Sequence, residues 1–162
     1  IDIAFFQETK KASMSEMEIK EMWARDRMEY MIVDAEGSAG GLLCIWDPAV
    51  FQMSSCCCNR RFVLLSGSLF FSFDCVLINV YAPNEVGQRD KLWECLLMLK
   101  EEYSKPWYIG GDFKEIRKIG ERKGCSKRDK GMKELNDFVD SSELNDLPLL
   151  GRRFTWCIAR LG

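Results

Sequence analysis

Apolar residues recur along the chain with two different periods, and the alternation between them predicts a mixed α/β protein. A stripe of apolar side chains at intervals of three and four residues is typical of an amphipathic helix, whereas short apolar runs bounded by turn residues are typical of buried strands. The helical spacing predicts helices over residues 14–30, 86–103 and 130–141. The short runs predict strands over residues 3–6, 30–33, 40–46, 51–54, 61–66, 69–73, 75–81, 107–109 and 154–157.

The order of these elements indicates how they pack. Strands between residues 51 and 81 follow one another closely, which favours antiparallel hairpins, and helices flank this group. The segment 75–81 is almost wholly apolar, so we expect it to be a central strand that is covered on both faces. Because helices bury their apolar stripes against sheets, this order predicts an α/β sandwich whose mostly antiparallel sheets are covered by helices.

The totals place the chain among single-domain globular proteins. Its 162 residues are 47% apolar and 30% charged, and no linker or repeat divides them, so we expect one domain over residues 1–162. No apolar run approaches the ~20 residues that a membrane span requires, so we expect no membrane contact. The chain begins Ile-Asp-Ile, without an initiator Met or a signal pattern, and such a start is typical of the interior of a longer polypeptide.

The eight cysteines and the absence of histidine limit the chemistry. No Cys-x-x-Cys pair occurs, and the core is large enough to need no disulfides, so we interpret the cysteines as buried, reduced thiols of an intracellular protein. The sequence does not distinguish nucleus from cytoplasm. The lack of histidine excludes Ser-His-Asp and Cys-His mechanisms for this chain acting alone, and it leaves carboxylate and metal chemistry open.

Polar side chains with catalytic chemistry follow three of the predicted strands. Glu8 lies just after the first strand, Tyr81 ends the strand 75–81, and Asp112 follows the strand 107–109 after two glycines that permit a sharp turn or a close approach. If these strand ends meet, they form a pocket with two carboxylates and a phenol, which suits a divalent cation and a phosphate. The alternative is that Asp112 is a turn residue that accepts hydrogen bonds from its own backbone.

Positive charge is concentrated directly after the last of these carboxylates. The protein carries a net charge of −2, yet residues 113–133 contain nine Lys or Arg and three Asp or Glu. Such a segment attracts polyanions, and the residues we expect to contact nucleic-acid phosphates are Lys114, Lys123, Lys127 and Arg128. The alternative is a solvated face that binds nothing, which is the commoner origin of lysine-rich runs.

Five short motifs occur in order along the chain. They are Phe6-Gln7-Glu8-Thr9-Lys10, Gly40-Gly41-Leu42-Leu43, Asn79-Val80-Tyr81-Ala82-Pro83-Asn84, Gly110-Gly111-Asp112-Phe113 and Gly151-Arg152-Arg153-Phe154-Thr155-Trp156. Together they resemble the motifs of the endonuclease/exonuclease/phosphatase superfamily, in the form found in the endonuclease domain of plant non-LTR (LINE-type) retrotransposons. The resemblance spans nearly the whole chain.

The resemblance implies a fold, an activity and a set of site residues. The fold is the DNase I-like four-layer α/β/β/α sandwich with mostly antiparallel sheets, incomplete here because the family's first strand and the C-terminal third of its domain are missing. The activity is Mg²⁺-dependent (or Mn²⁺-dependent) phosphodiester hydrolysis in DNA, so the implied partners are DNA and the remainder of a retrotransposon polyprotein. Glu8 matches the metal-binding glutamate, Tyr81 the tyrosine that contacts the scissile phosphate, and Asp112 the aspartate that positions the attacking water.

Besides the missing first strand, which would carry a further family asparagine, two departures from the family pattern bear on activity. Lys114 stands where the family has asparagine, which adds positive charge beside the implied metal site, and the family's catalytic histidine is absent. We therefore expect a retrotransposon-derived, endonuclease-like hydrolase domain whose activity is impaired. The alternatives are a non-catalytic nucleic-acid-binding remnant and a degraded open reading frame, whereas the motifs disfavour a phosphatase for small phosphoesters.

Overall fold

A computed structural model describes residues 1–37, 39–122 and 124–147, which form two β-sheets with helices on both outer sides. The strands are β1 (Ile3–Gln7), β2 (Glu29–Val33), β3 (Leu42–Trp46), β4 (Phe51–Asn59), β5 (Phe62–Leu69), β6 (Phe73–Tyr81) and β7 (Trp107–Asp112). The helices are α1 (Glu16–Glu21), α2 (Val86–Glu102) and α3 (Lys130–Ser141), with a 3₁₀ turn at Ile119–Glu121. In these ranges no helix combines the length and the apolar character that crossing a bilayer demands. The predicted strand 154–157 and the motif that contains it lie outside the described residues.

Two sheets of different size make up the middle of the molecule. β3 lies between β1 and β2 and pairs antiparallel with both, which gives a three-stranded sheet. The second sheet has the order β4-β5-β6-β7, and its first three strands form an antiparallel meander. β6 and β7 pair in parallel, and α2 is the crossover that connects them. The predicted, mostly antiparallel architecture is confirmed.

Burial on both faces of each sheet produces four layers. Trp46 of the three-stranded sheet and Leu65 of the four-stranded sheet belong to the central core between the two sheets. The opposite face of the four-stranded sheet packs against α2 and α3 in a second core that includes Ile78 and Phe138. α1 covers the outer face of the three-stranded sheet with Ile19. The layer order is therefore α/β/β/α, which confirms the fold class that the resemblance implies.

β6 separates the two larger cores. Its residues alternate, so that Cys75 and Leu77 face the central core while Val76, Ile78 and Val80 face α2 and α3. All five side chains are buried. The expectation that this apolar segment is a central strand covered on both faces is confirmed.

The predicted helix over residues 14–30 is correct only for residues 16–21 and is wrong for the remainder. α1 spans only Glu16–Glu21, and Glu29–Val33 forms β2, which pairs with β3. Between the two elements, the indole N–H of Trp23 donates a hydrogen bond to the carbonyl of Arg27 at 3.0 Å. Local apolar spacing does not encode pairing with a distant strand, and this pairing outweighs the helical pattern here.

The predicted strand over residues 69–73 is also wrong, because this segment is the turn of a hairpin. The backbone N–H of Ser72 donates to the carbonyl of Leu69 at 3.1 Å, and Phe70 and Phe71 have φ angles of +50° and +58°. Positive φ at both central residues is the signature of a type I′ turn, and here this turn lies in the three-residue connection between Leu69 and Phe73. An apolar turn has the same sequence pattern as a short strand. The sequence therefore predicts three short strands where the structure has two long ones, β5 and β6.

The glycines that precede Asp112 continue β7 to that residue and do not turn the chain. Gly111 has a φ of +135°, and a Cβ atom at this position would lie 2.0 Å from the carbonyl oxygen of Val80. Glycine is therefore required for the close approach of β6 and β7, which is one of the two roles expected for it. The parallel register that results places Asp112 beside Tyr81.

Candidate functional site

Strand ends from both sheets bring Glu8, Tyr81 and Asp112 together. Tyr81 and Asp112 are the last residues of β6 and β7, whereas Glu8 follows the last residue of β1 in the other sheet. The hydroxyl of Tyr81 donates a hydrogen bond to Oε1 of Glu8 at 2.8 Å, across the boundary between the sheets. The structure thus places these three residues side by side, and their catalytic roles remain predictions.

Asn79 aligns the two sheets beneath this site. Its side chain is fully buried in β6, and its Nδ2 donates to the carbonyl of Phe6 at 3.1 Å and to that of Leu43 at 3.2 Å. The Nε2 of Gln7 in turn donates to Asn79 Oδ1 at 2.6 Å. A buried amide with satisfied hydrogen bonds specifies one alignment of its neighbours. Asn79 therefore sets the position of the strand end before Glu8, a role that only its polarity within an apolar strand signals in the sequence.

Lys114 completes the site by contacting both carboxylates. Its Nζ lies 2.5 Å from Oδ2 of Asp112 and 3.2 Å from Oε1 of Glu8. The same nitrogen lies 4.9 Å from the ring centroid of Tyr81, within range of a cation–π interaction. We refer to Glu8, Tyr81, Asp112 and Lys114 as the strand-end cluster. Lys114, predicted as a nucleic-acid contact, is thus placed inside this cluster.

The remaining carboxylate oxygens of the strand-end cluster also have partners. Oε2 of Glu8 lies 3.6 Å from Nζ of Lys10. Oδ1 of Asp112 accepts a hydrogen bond from the backbone N–H of Lys114 at 3.1 Å. The alternative interpretation of Asp112 as a residue that stabilises its own turn therefore also holds, and the two interpretations do not exclude each other.

These contacts determine the charge states in the strand-end cluster. Hydrogen bonds from Tyr81 and from Lys114 hold the pKa of Glu8 below its usual range, because they favour the charged carboxylate. Burial raises the pKa of Tyr81, and its hydrogen bond to Glu8 acts in the same direction. Burial opposes the charge on Lys114, but its contacts with Asp112 and Glu8 outweigh burial and raise its pKa. At neutral pH the phenol is protonated and the ammonium is charged.

Backbone strain is concentrated at the same place. Glu8, Lys10 and Lys114 have φ angles of +54°, +55° and +54°, in the left-handed region that non-glycine residues rarely adopt. They are three of the six such non-glycine residues in the described ranges, and all three are joined by ion pairs. Strained residues persist where the surrounding contacts hold them, and they cluster at functional sites.

The arrangement of these side chains does not fit the implied Mg²⁺ or Mn²⁺ ion. Mg²⁺ requires near-octahedral oxygen ligands at roughly 2.1 Å. In the strand-end cluster the Lys114 ammonium lies between the two carboxylates, and the part of the chain that is described contains no group of three acidic or cysteine side chains suited to a metal. A divalent ion would have to displace the ammonium against its like charge.

A cavity of about 380 Å³ opens beside Tyr81. Arg60 and Arg61, at the turn between β4 and β5, line it together with three acidic side chains, Asp34, Glu36 and Glu85. The charge of the cavity is therefore mixed, with one more acidic than basic side chain among these five. No pattern in the sequence distinguishes the two arginines from ordinary surface charge.

Local ion pairs neutralise part of the positive charge of residues 113–133, which we call the basic segment. Arg117 pairs with Asp140 and Asp146, Arg122 pairs with Glu115, and Lys130 pairs with Glu134. Within the described ranges, the exposed residues Lys127 and Arg128 form no ion pair, so they remain candidates for phosphate contact. Lys123, the other predicted contact, lies outside the described residues.

Comparisons with models of protein families and with curated proteins give no match. Solved structures do match. TDP2 from Caenorhabditis elegans is 15% identical, with a TM-score of 0.54, over 71% of this chain and 38% of that chain. ANGEL2, a 2′,3′-cyclic phosphatase, is 10% identical, with a TM-score of 0.54, over 73% of this chain and 40% of that chain. A functionally unknown conserved protein from Enterococcus faecalis V583 is 12% identical, with a TM-score of 0.53, over 75% of this chain and 52% of that chain.

At these identities the similarities concern the fold alone. They agree with the layer order described above, and the chain has the DNase I-like α/β/β/α fold. The chain spans 38% of the TDP2 structure and 40% of the ANGEL2 structure, which is less than half of either.

Proposed function

We propose that this chain is a nuclease-like domain that binds a phosphodiester of DNA at the strand-end cluster, and that its hydrolytic activity is weak. The observation that carries the proposal is the meeting of Glu8, Tyr81 and Asp112 at one end of two sheets. Carboxylates, a phenol and a cation are the groups that orient water and stabilise charge in phosphoryl transfer. The fold supports the proposal, since ANGEL2, a 2′,3′-cyclic phosphatase, shares it.

The proposed roles follow from the charge states. In the proposed complex the Tyr81 hydroxyl, kept protonated by its raised pKa, turns its single O–H from Glu8 to a non-bridging phosphate oxygen. The Lys114 ammonium carries three N–H donors, two of which serve the carboxylates, so the third is free for a phosphate oxygen. Asp112 orients a water molecule toward the phosphorus atom. The roles of Tyr81 and Asp112 are those that the resemblance implies.

Two features argue that hydrolysis is slow. The chain contains no histidine, and one well-placed acid or base typically contributes about 10²- to 10⁴-fold to a rate. In the unbound chain, hydrogen bonds from Tyr81 and Lys114 lower the pKa of Glu8, so this second carboxylate does not replace the missing histidine as a base. Both features act on proton transfer, so we expect them to reduce turnover more than binding.

The motifs support an origin in the endonuclease domain of a plant LINE-type retrotransposon. Such an origin places the domain inside the cell, in the nucleus or the cytoplasm, as part of a longer polyprotein. A non-catalytic nucleic-acid-binding domain is the second candidate. It is favoured by Lys127 and Arg128, whose charges are not neutralised by any ion pair in the described ranges.

Binding and nicking measurements on the same protein test the proposal. We expect Lys114→Gln to weaken binding to a short DNA duplex by about tenfold, because it removes the ammonium that contacts both carboxylates next to the phosphate. Lys91→Gln, which removes an equal charge from an exposed position on α2, is the matched control and should bind as the unmodified chain does. On supercoiled plasmid we expect slow nicking that Asp112→Ala abolishes and that the exposed-site control Glu101→Ala leaves unchanged.

The outcomes separate the candidates. An unmodified chain that does not bind DNA would refute both. Binding without any nicking would favour the non-catalytic domain. Rapid nicking that Glu8→Ala abolishes would refute the claim of weak hydrolysis. Lys114→Asn alone should restore little activity, because catalytic groups that act as a unit do not recover singly.

A further inference from the structure

We propose that Lys114 is a built-in cation of this site: its ammonium takes the position between Glu8 and Asp112 that a divalent ion would need, so that the site binds phosphate without a metal ion. The inference rests on the proposed function, because it names the ionic requirement of the same site. It departs from the metal dependence that the sequence resemblance implies.

Each oxygen of the two carboxylates already has a partner. Nζ of Lys114 touches Oδ2 of Asp112 at 2.5 Å and Oε1 of Glu8 at 3.2 Å, while the backbone N–H of Lys114 donates to Oδ1 of Asp112. Oε2 of Glu8 faces Lys10. No carboxylate oxygen of the strand-end cluster is therefore without a partner, and an added metal ion would have to break existing contacts to reach any of them.

The charges of the two carboxylates are balanced by two nearby ammonium groups. Glu8 and Asp112 contribute two negative charges, and Lys10 and Lys114 contribute two positive charges within ion-pair distance. A neutral group of this kind does not attract a divalent cation, and an incoming cation meets the repulsion of an ammonium that is only 23% exposed. The same ammonium removes the repulsion that two bare carboxylates would exert on a phosphate.

The backbone conformation at position 114 also supports the proposal. Lys114 has a φ of +54°, a conformation that asparagine tolerates much better than lysine. The contacts of the lysine side chain with Glu8, Asp112 and the ring of Tyr81 offset this strain and keep the ammonium in place. Because the backbone suits asparagine, Lys114→Asn should preserve the fold while it removes the ammonium.

Melting curves with Mg²⁺ alone test whether the ammonium excludes a metal ion. In the unmodified chain we expect the same Tm in EDTA and in about 10 mM Mg²⁺ at constant ionic strength. In Lys114→Asn we expect Mg²⁺ to raise the Tm by about 3 °C, as a ligand with a Kd of about 1 mM would. Lys114→Gln, a second variant without the ammonium, should show a shift of the same sign. Lys10→Gln removes an equal charge beside Glu8 but leaves the bridging ammonium, and it should show no shift.

Two results in this experiment would overturn the inference. The first is an Mg²⁺-dependent shift in the unmodified chain as large as that in Lys114→Asn. The second is the absence of a shift in both Lys114→Asn and Lys114→Gln, which would mean that the ammonium is not what excludes the ion. Neither result depends on DNA.

Binding of a short DNA duplex tests the phosphate half of the inference. We expect the unmodified chain to bind with the same Kd in EDTA and in Mg²⁺, within about twofold. Lys114→Asn should bind about tenfold more weakly in EDTA and regain affinity in Mg²⁺, because the metal then supplies the missing charge. Loss of binding by the unmodified chain in EDTA alone would overturn the inference. Absence of binding in both buffers would instead refute the proposed function, and the melting curves would still decide whether Lys114 excludes metal.

Discussion

At the scale of single residues, a buried ion pair supports the segment that carries Lys114. The side chains of Arg89 and Glu115 are only 7% and 3% exposed, and Nη2 of Arg89 lies 3.0 Å from Oε2 of Glu115. Nη1 of Arg89 also donates to the carbonyl of Asn84 at 2.9 Å. The pair therefore joins the start of α2 and the turn after β6 to the segment that follows β7.

Breaking this pair from the acidic side should be strongly destabilising. We expect Glu115→Ala to lower the free energy of unfolding by about 3–5 kcal/mol, because the Arg89 guanidinium remains buried without its partner. The exposed residue Glu94 on α2 provides the matched control, and Glu94→Ala should change the free energy of unfolding by less than about 0.5 kcal/mol. Urea unfolding measures both. A loss from Glu115→Ala no greater than that of the control would contradict the assigned role of the pair.

The thiol of Cys44 should make stability depend on alkaline pH. Burial raises the pKa of this thiol from 9.0 to about 12. The folded chain therefore keeps a proton that the unfolded chain releases above pH 9, so the free energy of unfolding should fall as the pH rises from 9 to 10. The slope from one such group is at most about 1.4 kcal/mol per pH unit. Urea unfolding of the unmodified chain and of Cys44→Ala measures it, and equal pH slopes in the two would show that Cys44 is not the source.

At the scale of elements, the hairpin of β5 and β6 closes with residues that do not suit its turn. Phe70 and Phe71 adopt φ angles of +50° and +58° and are 67% and 74% exposed. A type I′ turn favours Asn-Gly, since bulky residues adopt positive φ only with strain. The long pairing of the two strands, from Phe62 with Val80 to Leu69 with Phe73, holds this turn in place.

Replacing the turn residues should therefore stabilise the protein. We expect Phe70→Asn together with Phe71→Gly to raise the free energy of unfolding by about 1–3 kcal/mol, through relief of backbone strain. Phe73→Asn is the matched control, because Phe73 is also partly exposed but lies in β6 and contacts the ring of Tyr108. We expect this control to lower stability. A turn variant that is no more stable than the unmodified chain in urea would mean that the turn is not strained.

At the scale of the whole molecule, charge is distributed unevenly but is also partly compensated. The net charge is −2, and the basic segment carries its excess positive charge within 21 residues, 113–133. Ion pairs of Arg117, Arg122 and Lys130 reduce the number of cations available to a phosphate backbone. The charge that remains for long-range attraction includes Lys127 and Arg128.

The dependence of DNA binding on salt should report those two residues. Each lost phosphate contact reduces the slope of log K against log salt by about 0.9, so Lys127→Ser with Arg128→Ser should flatten the slope by about 2. Lys20→Ser with Lys91→Ser removes an equal charge from exposed positions on α1 and α2 and should leave the slope unchanged. Filter-binding titrations measure both slopes. An unchanged slope in the first variant would favour the alternative of a merely solvated face.

Much of the fold was predictable because burial follows local periodicity. The helix over residues 130–141 is observed as α3 with the same bounds, and the helix over 86–103 is observed as α2, one residue shorter. The central position of the segment 75–81 followed from its unbroken apolar character. The presence of Glu8, Tyr81 and Asp112 at strand ends also followed from the sequence, since a polar residue after an apolar run marks where burial stops.

Other features depend on contacts between distant parts of the chain, and these only the tertiary structure decided. The end of α1 depends on the pairing of β2 with β3, and Gly111 serves the approach of β7 to Val80. The bridging position of Lys114 was decided in the same way, because it joins Asp112 to Glu8, a residue 106 positions away in the other sheet. The sequence by itself determined that a lysine stands beside Asp112. Whether that lysine faces solvent or takes the place of a cation between two carboxylates depends on how the two sheets pack, which no local pattern encodes.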